Sequence, residues 1–373
     1  MKRPGLYIHI PFCLRKCGYC DFYSVTPVSR IPDFLKALFG EMKMVRDKWP
    51  PVDTVYLGGG TPSVLSIAQL RDVLAKVQEN FILLSDTEIT VEANPGDLDT
   101  VFLKQLRASS VNRINVGVQS FDQEVLTFLG RRHNVEQAVA AIEASREAGF
   151  ENVGIDLIYG VPGQSMDSWL NTLQQALLFF PEHLSCYQLT MEERTPLGKK
   201  CKAGEVSLPG EHLQYNFFMK TSEFLENAGY IHYEVSNFSR GTRFASRHNQ
   251  KYWDHTPYLG LGPAAHSFQN NQRWWNYRSF DQYIAAVNSG VSPVEGTETL
   301  SMEQLRLEAL YFGMRKKRGI HLREFEDRYH CNLVSEKSSI LTRLQEEKLI
   351  SVEGGCLHPT RAGLALADSL SLI

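Results

Sequence analysis

Three observations predict an α/β fold. Short apolar runs recur at 5–10, 53–57, 87–93, 112–118, 151–158 and 184–190; amphipathic stretches fill 33–48, 66–80, 97–109, 122–129, 134–148 and 167–180; and from about residue 300 the pattern turns mostly helical. Strand–helix repeats of this kind build a parallel sheet covered by helices. Eight such units close a barrel, so six predict one that stays open. The expectation is an open, partial, six-stranded parallel TIM-type barrel followed by a small winged-helix-like α+β C-terminal domain. A chain of 373 residues accommodates one large and one smaller unit. The expected division is 1–236 for the barrel, 237–299 for a connecting segment and 300–373 for the tail.

Each element earns its place from the residues. The run Gly5-Leu-Tyr-Ile-His-Ile10 leads directly into Cys13, Cys17 and Cys20, and the run 53–57 into Gly58-Gly-Gly-Thr-Pro62. The third run ends at Glu92, the fourth at Gln119, and the fifth contains Asp156. Parallel barrels collect functional groups at the C-terminal ends of their strands, and these residues converge there as a set. A further helix is expected over 211–228. Residues 237–299 are irregular and aromatic, with Tyr252, Trp253, Tyr258, Trp274, Trp275 and Tyr277 among several Gly and Pro. So long a stretch is no bare linker and is expected to pack on the barrel as a loop-rich segment. The tail predicts helices at 301–317, 321–330 and 335–347, a two-stranded wing around Gly354-Gly355, and a last helix over 360–371. Arg315-Lys-Lys-Arg318 before Gly319 is explained by cations in a helix's last turn ahead of a C-capping glycine, without any partner.

Composition narrows the function classes. The chain is 43% hydrophobic and 22% charged, and its 39 basic and 42 acidic residues leave a net charge of −3. That is no electrostatic footprint for nucleic acid. No stretch approaches the roughly 18 apolar residues of a membrane span. The opening Met1-Lys-Arg-Pro-Gly-Leu-Tyr-Ile-His-Ile-Pro11 has the basic-then-apolar order of a signal peptide, but its apolar part is short and interrupted by proline and cysteine. A cytoplasmic protein is expected. Seven cysteines, an odd number, suggest no disulfide framework, and Cys186, Cys201, Cys331 and Cys356 are scattered as small thiols of a reducing compartment are.

The remaining cysteines carry chemistry. Cys13-x3-Cys17-x2-Cys20 bends three sulfurs toward one point on a short loop. Thiolates bind zinc, Cu(I) and iron–sulfur clusters. A structural zinc site wants four closed ligands, and the nearest fourth candidate, His9, belongs to the strand. A [4Fe–4S] cluster held by three cysteines leaves one iron open to a small molecule. Three glycines after the second strand let backbone come close to a ligand that a Cβ would repel. Gly260-Leu-Gly262 is only a look-alike of a dinucleotide-binding loop: no strand is expected before it, and Ala265 stands where a third glycine belongs.

On these residues the chain resembles the radical S-adenosylmethionine (SAM) superfamily. Cys13-Leu-Arg-Lys-Cys17-Gly-Tyr-Cys20 is similar to its cluster signature and Gly58-Gly-Gly-Thr-Pro62 to its glycine-rich SAM motif. Tyr7-Ile-His-Ile-Pro-Phe-Cys13, Gly117-Val-Gln-Ser-Phe121 and Asp156-Leu-Ile-Tyr-Gly-Val-Pro162 resemble the oxygen-independent coproporphyrinogen oxidase group. The resemblance spans essentially the whole chain. It implies a [4Fe–4S] cluster on Cys13, Cys17 and Cys20, and a SAM site lined by Tyr7, Gly59, Gly60, Thr61, Glu92, Gln119, Arg131 and Asp156. These types suit SAM: Glu92 accepts from an ammonium, Asp156 and Gln119 hydrogen-bond ribose or adenine, and Arg131 pairs with a carboxylate. Arg131 is also readable as an exposed helix charge, with Arg132 beside it.

Two departures separate the chain from the oxidase. That enzyme has a further cysteine two residues after the third cluster ligand, where Phe22 stands here, and a long extension before its tyrosine, where six residues precede Tyr7. Both point to the HemW-type heme chaperones within the same group. His248-Asn-Gln-Lys-Tyr-Trp253 matches their His-Asn-x-x-Tyr-Trp motif, which implies His248 as a heme ligand, with His255 and His266 as nearby alternatives. An imidazole is a sound axial ligand, and aromatic neighbours pack on the macrocycle. The implied partners are heme or porphyrin and heme-acceptor proteins, respiratory ones among them; a homodimer is one oligomeric alternative. The resemblance favours a carrier that binds heme, the cluster and SAM and passes heme on. The other reading, an enzyme that oxidatively decarboxylates coproporphyrinogen III to protoporphyrinogen IX, has Phe22 against it. A purely structural zinc or iron–sulfur protein would leave the glycine motif and the strand-end polar residues without a purpose.

Overall fold

A computed structural model describes residues 2–370. The first half alternates strand and helix: β1 (Gly5–Ile10), α1 (Ile31–Val45), β2 (Val52–Gly59), α2 (Ile67–Asn80), β3 (Leu83–Ala93), α3 (Thr100–Ala108), β4 (Arg113–Gln119), α4 (Gln123–Phe128), α5 (Val135–Glu147), β5 (Val153–Tyr159), α6 (Met166–Leu177) and β6 (His183–Gln188). All five neighbouring pairs from β1 to β6 are parallel and in sequence order. The alternation behind this is clean. Leu6, Ile8, Val55, Leu57, Ile89, Val91, Ile114, Val116, Ile155, Leu157 and Leu184 are buried in the main core, while the intervening positions of the same strands are mostly polar residues or glycine and line the inside of the open barrel. In a closed barrel that inside is filled by apolar layers; here it is free for chemistry.

Helices cover the outer face for local reasons. In α2, Leu70, Val73, Leu74 and Val77 recur at helical spacing and are buried, and Ser66 with Gln69 forms a capping box at its start. Asn134 and Gln137 do the same for α5. In α6, Trp169 is fully buried and its indole Nε1 donates to Thr221 Oγ1 at 2.7 Å, so burying it leaves no unmet donor.

Beyond β6 run α7 (Pro196–Lys202), α8 (Glu211–Asn227), β7 (Ile231–Glu234), β8 (Asn237–Ser239), α9 (Arg247–Trp253), β9 (Tyr258–Leu261), β10 (His266–Gln269), β11 (Gln272–Asn276), α10 (Phe280–Asn288) and β12 (Val294–Thr299). The stretch expected as loop-rich is therefore largely regular. β9 adds parallel to the free edge of β1, and β10, β11 and β12 extend it as an antiparallel meander; β8 and β7 cap the β6 edge. The sheet reaches twelve strands in the order β12-β11-β10-β9-β1-β2-β3-β4-β5-β6-β8-β7. Gly260, expected to follow no strand, lies in β9. A Cβ there would meet the His266 carbonyl oxygen at 2.1 Å, so the glycine serves strand packing.

The tail comprises α11 (Met302–Met314), β13 (Ile320–His321), α12 (Leu322–Tyr329), α13 (Leu333–Glu336), α14 (Ser338–Glu346), β14 (Ile350–Glu353), β15 (Cys356–Pro359), α15 (Arg361–Ala365) and α16 (Ala367–Leu370). β14 and β15 form a hairpin turning at Gly354-Gly355, and β13 joins it in the order β13-β15-β14. The expected helix over 360–371 is two short ones, and its last residue lies outside the described residues. The basic run is also reassigned. α11 ends at Met314, before the cations, so the helix dipole does not explain them. Instead Lys316 reaches Asp254 at 2.6 Å, Arg318 also pairs with Asp254, Lys317 with Glu226 and Arg315 with Asp368. Against the cost of its burial, Lys316 and Arg318 hold the Asp254 carboxyl down at about 2.

Candidate cofactor and cargo site

The cluster loop and the glycine segment are built onto one another. Gly60 N–H donates to the Ile10 carbonyl and Thr61 N–H to the Phe12 carbonyl, both at 2.8 Å. A Cβ on Gly60 would lie 2.6 Å from the Phe12 oxygen, and Gly59 holds φ +109° with its Cβ position filled by the His9 ring. The glycines thus lock β2 to the strand that carries the cysteines, in addition to leaving room for a ligand. Cys13 Sγ lies 3.4 Å from Thr61 Oγ1. Arg15 donates to the carbonyls of Gly130 and Arg131 at 2.6 and 3.2 Å.

Arg131 is not an exposed helix charge. It is half-buried, its guanidinium donating to the Gly117 carbonyl at 2.9 Å and reaching Cys17 Sγ at 3.6 Å, while Nε is buried without a partner. Arg132 is the structural one of the pair, its Nη2 reaching both carboxylate oxygens of Asp97 at 2.8 and 2.9 Å.

Inside the barrel, Glu92 on β3 accepts from Tyr56 OH at 2.6 Å and from Gly59 N–H at 3.3 Å. Burial pushes its carboxyl up to about 7. Asp156 on β5 accepts from Asn115 at 2.6 Å through one oxygen; the other is buried and unpartnered, and burial raises this carboxyl too. Gln119 ends β4 at φ +70°, a conformation costly for a non-glycine residue and concentrated at functional sites. Tyr7 OH lies 3.0 Å from His9 Nδ1, and His9 Nε2 lies 2.9 Å from the Tyr23 carbonyl. Both ring nitrogens of His9 are engaged, so it is no fourth ligand for a metal. Burial lowers its pKa to about 4.

The residues present fit a cluster and SAM. Among the described residues no three His, Cys, Asp or Glu side chains close on one point as a single ion requires, whereas a four-iron cluster takes its thiolates on different irons. A buried carboxylate oxygen on Asp156 and a buried guanidinium N–H on Arg131, both unpartnered, are what a polar cofactor between them would satisfy.

Tyr56 and Asn115 were not singled out from sequence. The signal existed: each occupies an inward position of its strand, two residues from Gly58 or Gly117, where a core strand would have been apolar.

His248 is the histidine that the resemblance implies as a heme ligand. It sits in α9, 1% exposed, with Nδ1 2.8 Å from Thr54 Oγ1 and Nε2 2.9 Å from Tyr252 OH. Its backbone N–H donates to Glu88 at 3.2 Å. Each ring nitrogen thus lies within hydrogen-bond reach of one hydroxyl, the second being that of the motif's own tyrosine. His255 is taken, by Tyr329 OH at 3.2 Å and Glu308 at 3.0 Å. His266 alone of the three is exposed, on the rim of a cavity of about 520 Å³ that also borders Tyr7 and Phe22.

Comparison with known proteins covers both parts of the chain. The radical SAM superfamily matches residues 7–176 and the HemN C-terminal domain residues 300–366. The heme chaperone HemW of Lactococcus lactis is 35% identical over 99% of this chain and 96% of its own length. That of Bacillus subtilis is 32% identical over 98% and 97%. Among solved structures, the coproporphyrinogen III oxidase HemN of Escherichia coli, a radical SAM enzyme, superposes with a TM-score of 0.86 at 24% identity, covering 100% of this chain and 89% of that one. No helix among the described residues is long and apolar enough to cross a membrane.

Proposed function

Since the chain belongs to the HemW heme chaperones of the radical SAM superfamily, we propose that it binds heme and delivers it to acceptor proteins from a site next to a SAM-associated [4Fe–4S] cluster. Cys13, Cys17 and Cys20 would hold the cluster. When bound, cluster and SAM supply one-electron reductive cleavage of the sulfonium. The chain's own groups do the rest. Glu92, whose carboxyl burial raises to about 7, gives up its proton to accept from an ammonium; Tyr56 and Gly59 hold that carboxylate in place. Asp156 keeps one oxygen for a ribose or base donor while Asn115 fixes the other. Arg131 bridges the cluster loop and β4 and has an N–H to spare for a carboxylate. Tyr7, Gly60, Thr61 and Gln119 complete the walls.

Phe22 carries the choice of heme carrier over oxidase. It stands where the resemblance to the oxidase expects a further cysteine, and it is 71% exposed on the cavity beside the cluster loop. An aromatic face there suits a bound macrocycle and supplies no thiol chemistry. The reading extends to a cytoplasmic setting, supported by cysteines that are all unpaired, and to respiratory hemoproteins as acceptors. Anaerobically reconstituted protein with SAM, a reductant and coproporphyrinogen III is expected to yield no porphyrin product, while the same protein binds hemin. Catalytic formation of protoporphyrinogen IX would overturn the proposal.

A further inference from the structure

The N-terminal ends of the barrel strands surround a cavity of about 1030 Å³, at the upper end of the range for small-molecule sites. Asn112 borders it just before β4, Asn152 just before β5, Glu182 just before β6, and the segment 240–244 after β8 closes its side. Gln119 of the cofactor site lies at the other end of β4, roughly 20 Å away along a seven-residue strand. The floor of the cavity is fixed from within. Glu182 is buried, and its carboxylate accepts from Arg146 Nη1 at 2.7 Å and from Val153 N–H at 3.0 Å, with Arg240 at 3.7 Å. Arg146 also donates to the Phe150 and Phe180 carbonyls at 3.2 and 2.8 Å. Two of the four arginines on the cavity are thereby spent on one carboxylate. Arg107 and Arg243 are not. Both are exposed, and neither guanidinium makes a hydrogen bond or an ion pair among the described residues; that of Arg243 lies over the Phe244 ring at 4.5 Å. Asn152 adds a side-chain oxygen that is buried and has no hydrogen-bond partner.

We propose that this cavity binds a phosphorylated small molecule of the nucleotide class, with Arg107 and Arg243 on its phosphates and Asn152 accepting from one of its hydroxyl or base N–H groups. The planar fork of an arginine matches phosphate oxygens, and two unspent forks on one concavity suit more than one phosphate group. Four arginines face two carboxylates there, Glu182 and the exposed Glu151, so the balance favours an anion. A fully ionised phosphate offers acceptors only and would leave the Asn152 oxygen unmet; a ligand that also carries donors satisfies it. The half-buried Phe244 borders the same space and gives a ring an apolar face. The site lies apart from the cofactor wall and stands whether or not the chain carries heme.

The test is calorimetry on the anaerobically reconstituted full chain, in excess SAM so that the cofactor site is closed to competitors, with ATP, inorganic pyrophosphate and adenosine as probes. ATP is expected to bind more tightly than either of the others, because each of those keeps only part of the contacts. Arg107→Gln and Arg243→Gln are each expected to weaken ATP about tenfold or more, as loss of a charge-assisted hydrogen bond does, and to leave adenosine unchanged. Asn152→Ala is expected to do the reverse, weakening ATP and adenosine but not pyrophosphate. Arg71→Gln, an exposed arginine of α2 off the cavity, is the control and should bind ATP as the parent does. Unfolding temperature and hemin binding should match the parent in both cavity arginine variants. A parent that binds no ATP, or parent-like ATP binding in both arginine variants, overturns the site. So does an equal loss in Arg71→Gln, which would assign the binding to net charge.

Discussion

Replacing Gly60 by alanine tests how the cluster loop is held. The new Cβ would lie 2.6 Å from the Phe12 carbonyl oxygen and 3.0 Å from that of Ile10, both backbone atoms. Neither can rotate away, so the end of β2 must separate from β1. That separation stretches the two 2.8 Å bonds from Gly60 and Thr61 to these same carbonyls. Two hydrogen bonds cost about 1 kcal/mol each and overpacking ~1–3 kcal/mol, so the loss is about 3–5 kcal/mol. For a chain of this size that lowers the melting temperature by roughly 2 °C per kcal/mol, about 6–10 °C in all. The same displacement moves Cys13, the residue after Phe12, away from Thr61. Thermal unfolding followed by circular dichroism, and iron content after anaerobic reconstitution, report the two effects separately. Gly18→Ala is the control: it lies between Cys17 and Cys20, yet its Cβ would meet nothing closer than Pro196 at 3.9 Å. A Gly60→Ala protein that melts with the parent and holds a full cluster would refute the reasoning, as would equal damage from Gly18→Ala.

Other predictions concern charge and ligation. The Glu92 carboxyl is raised from 4.5 to about 7, so its stabilising contribution is complete below about pH 4.5 and is lost as pH rises through 7, on the order of 3 kcal/mol for the ligand-free protein. Glu92→Gln should flatten stability over that window, though Glu41 and Glu234, also near 7 through burial, retain their share; an unchanged slope in urea melts between pH 5 and 8 would count against it. At pH 6, SAM binding to the parent should release a proton, seen as buffer-dependent heat in calorimetry, and Glu92→Gln should not. Alanine at Cys13, Cys17 or Cys20 should each abolish the visible absorbance of the reconstituted cluster, whereas Cys201→Ala keeps it; a full cluster in all three variants would remove them as ligands. Asp254→Asn should lower the melting temperature by loosening Lys316 and Arg318. Because the Asp254 carboxyl is held down at about 2, the deficit should persist at pH 7 and narrow as pH falls below about 4; a deficit independent of pH would assign it to packing.

Much of the fold and half of the site are written in local patterns. Short apolar runs between amphipathic stretches named the six parallel strands, and their order followed because each strand–helix unit returns the chain beside its predecessor. The cysteine triplet and the glycine run are legible because their chemistry lies within a few consecutive residues. Glu92, Gln119 and Asp156 were recognisable as polar groups at strand ends.

What tertiary structure alone decided involves partners far apart in sequence. That β9 completes the β1 edge depends on Gly5 meeting Tyr258, a pairing between residues 253 positions apart that no local period encodes. The basic run at 315–318 looked like a helix end, yet its cations are claimed by Asp254, Glu226 and Asp368. The motif of His248 is legible in the sequence, whereas the fold alone sets its surroundings, with Thr54 from β2 and Tyr252 one turn along α9 at its two nitrogens. His266 stands at the rim of the cavity, with no hydrogen bond to its imidazole among the described residues. A side chain's type is set by sequence; whether its polar atoms are available is set by which distant groups the fold brings within 3 Å of them.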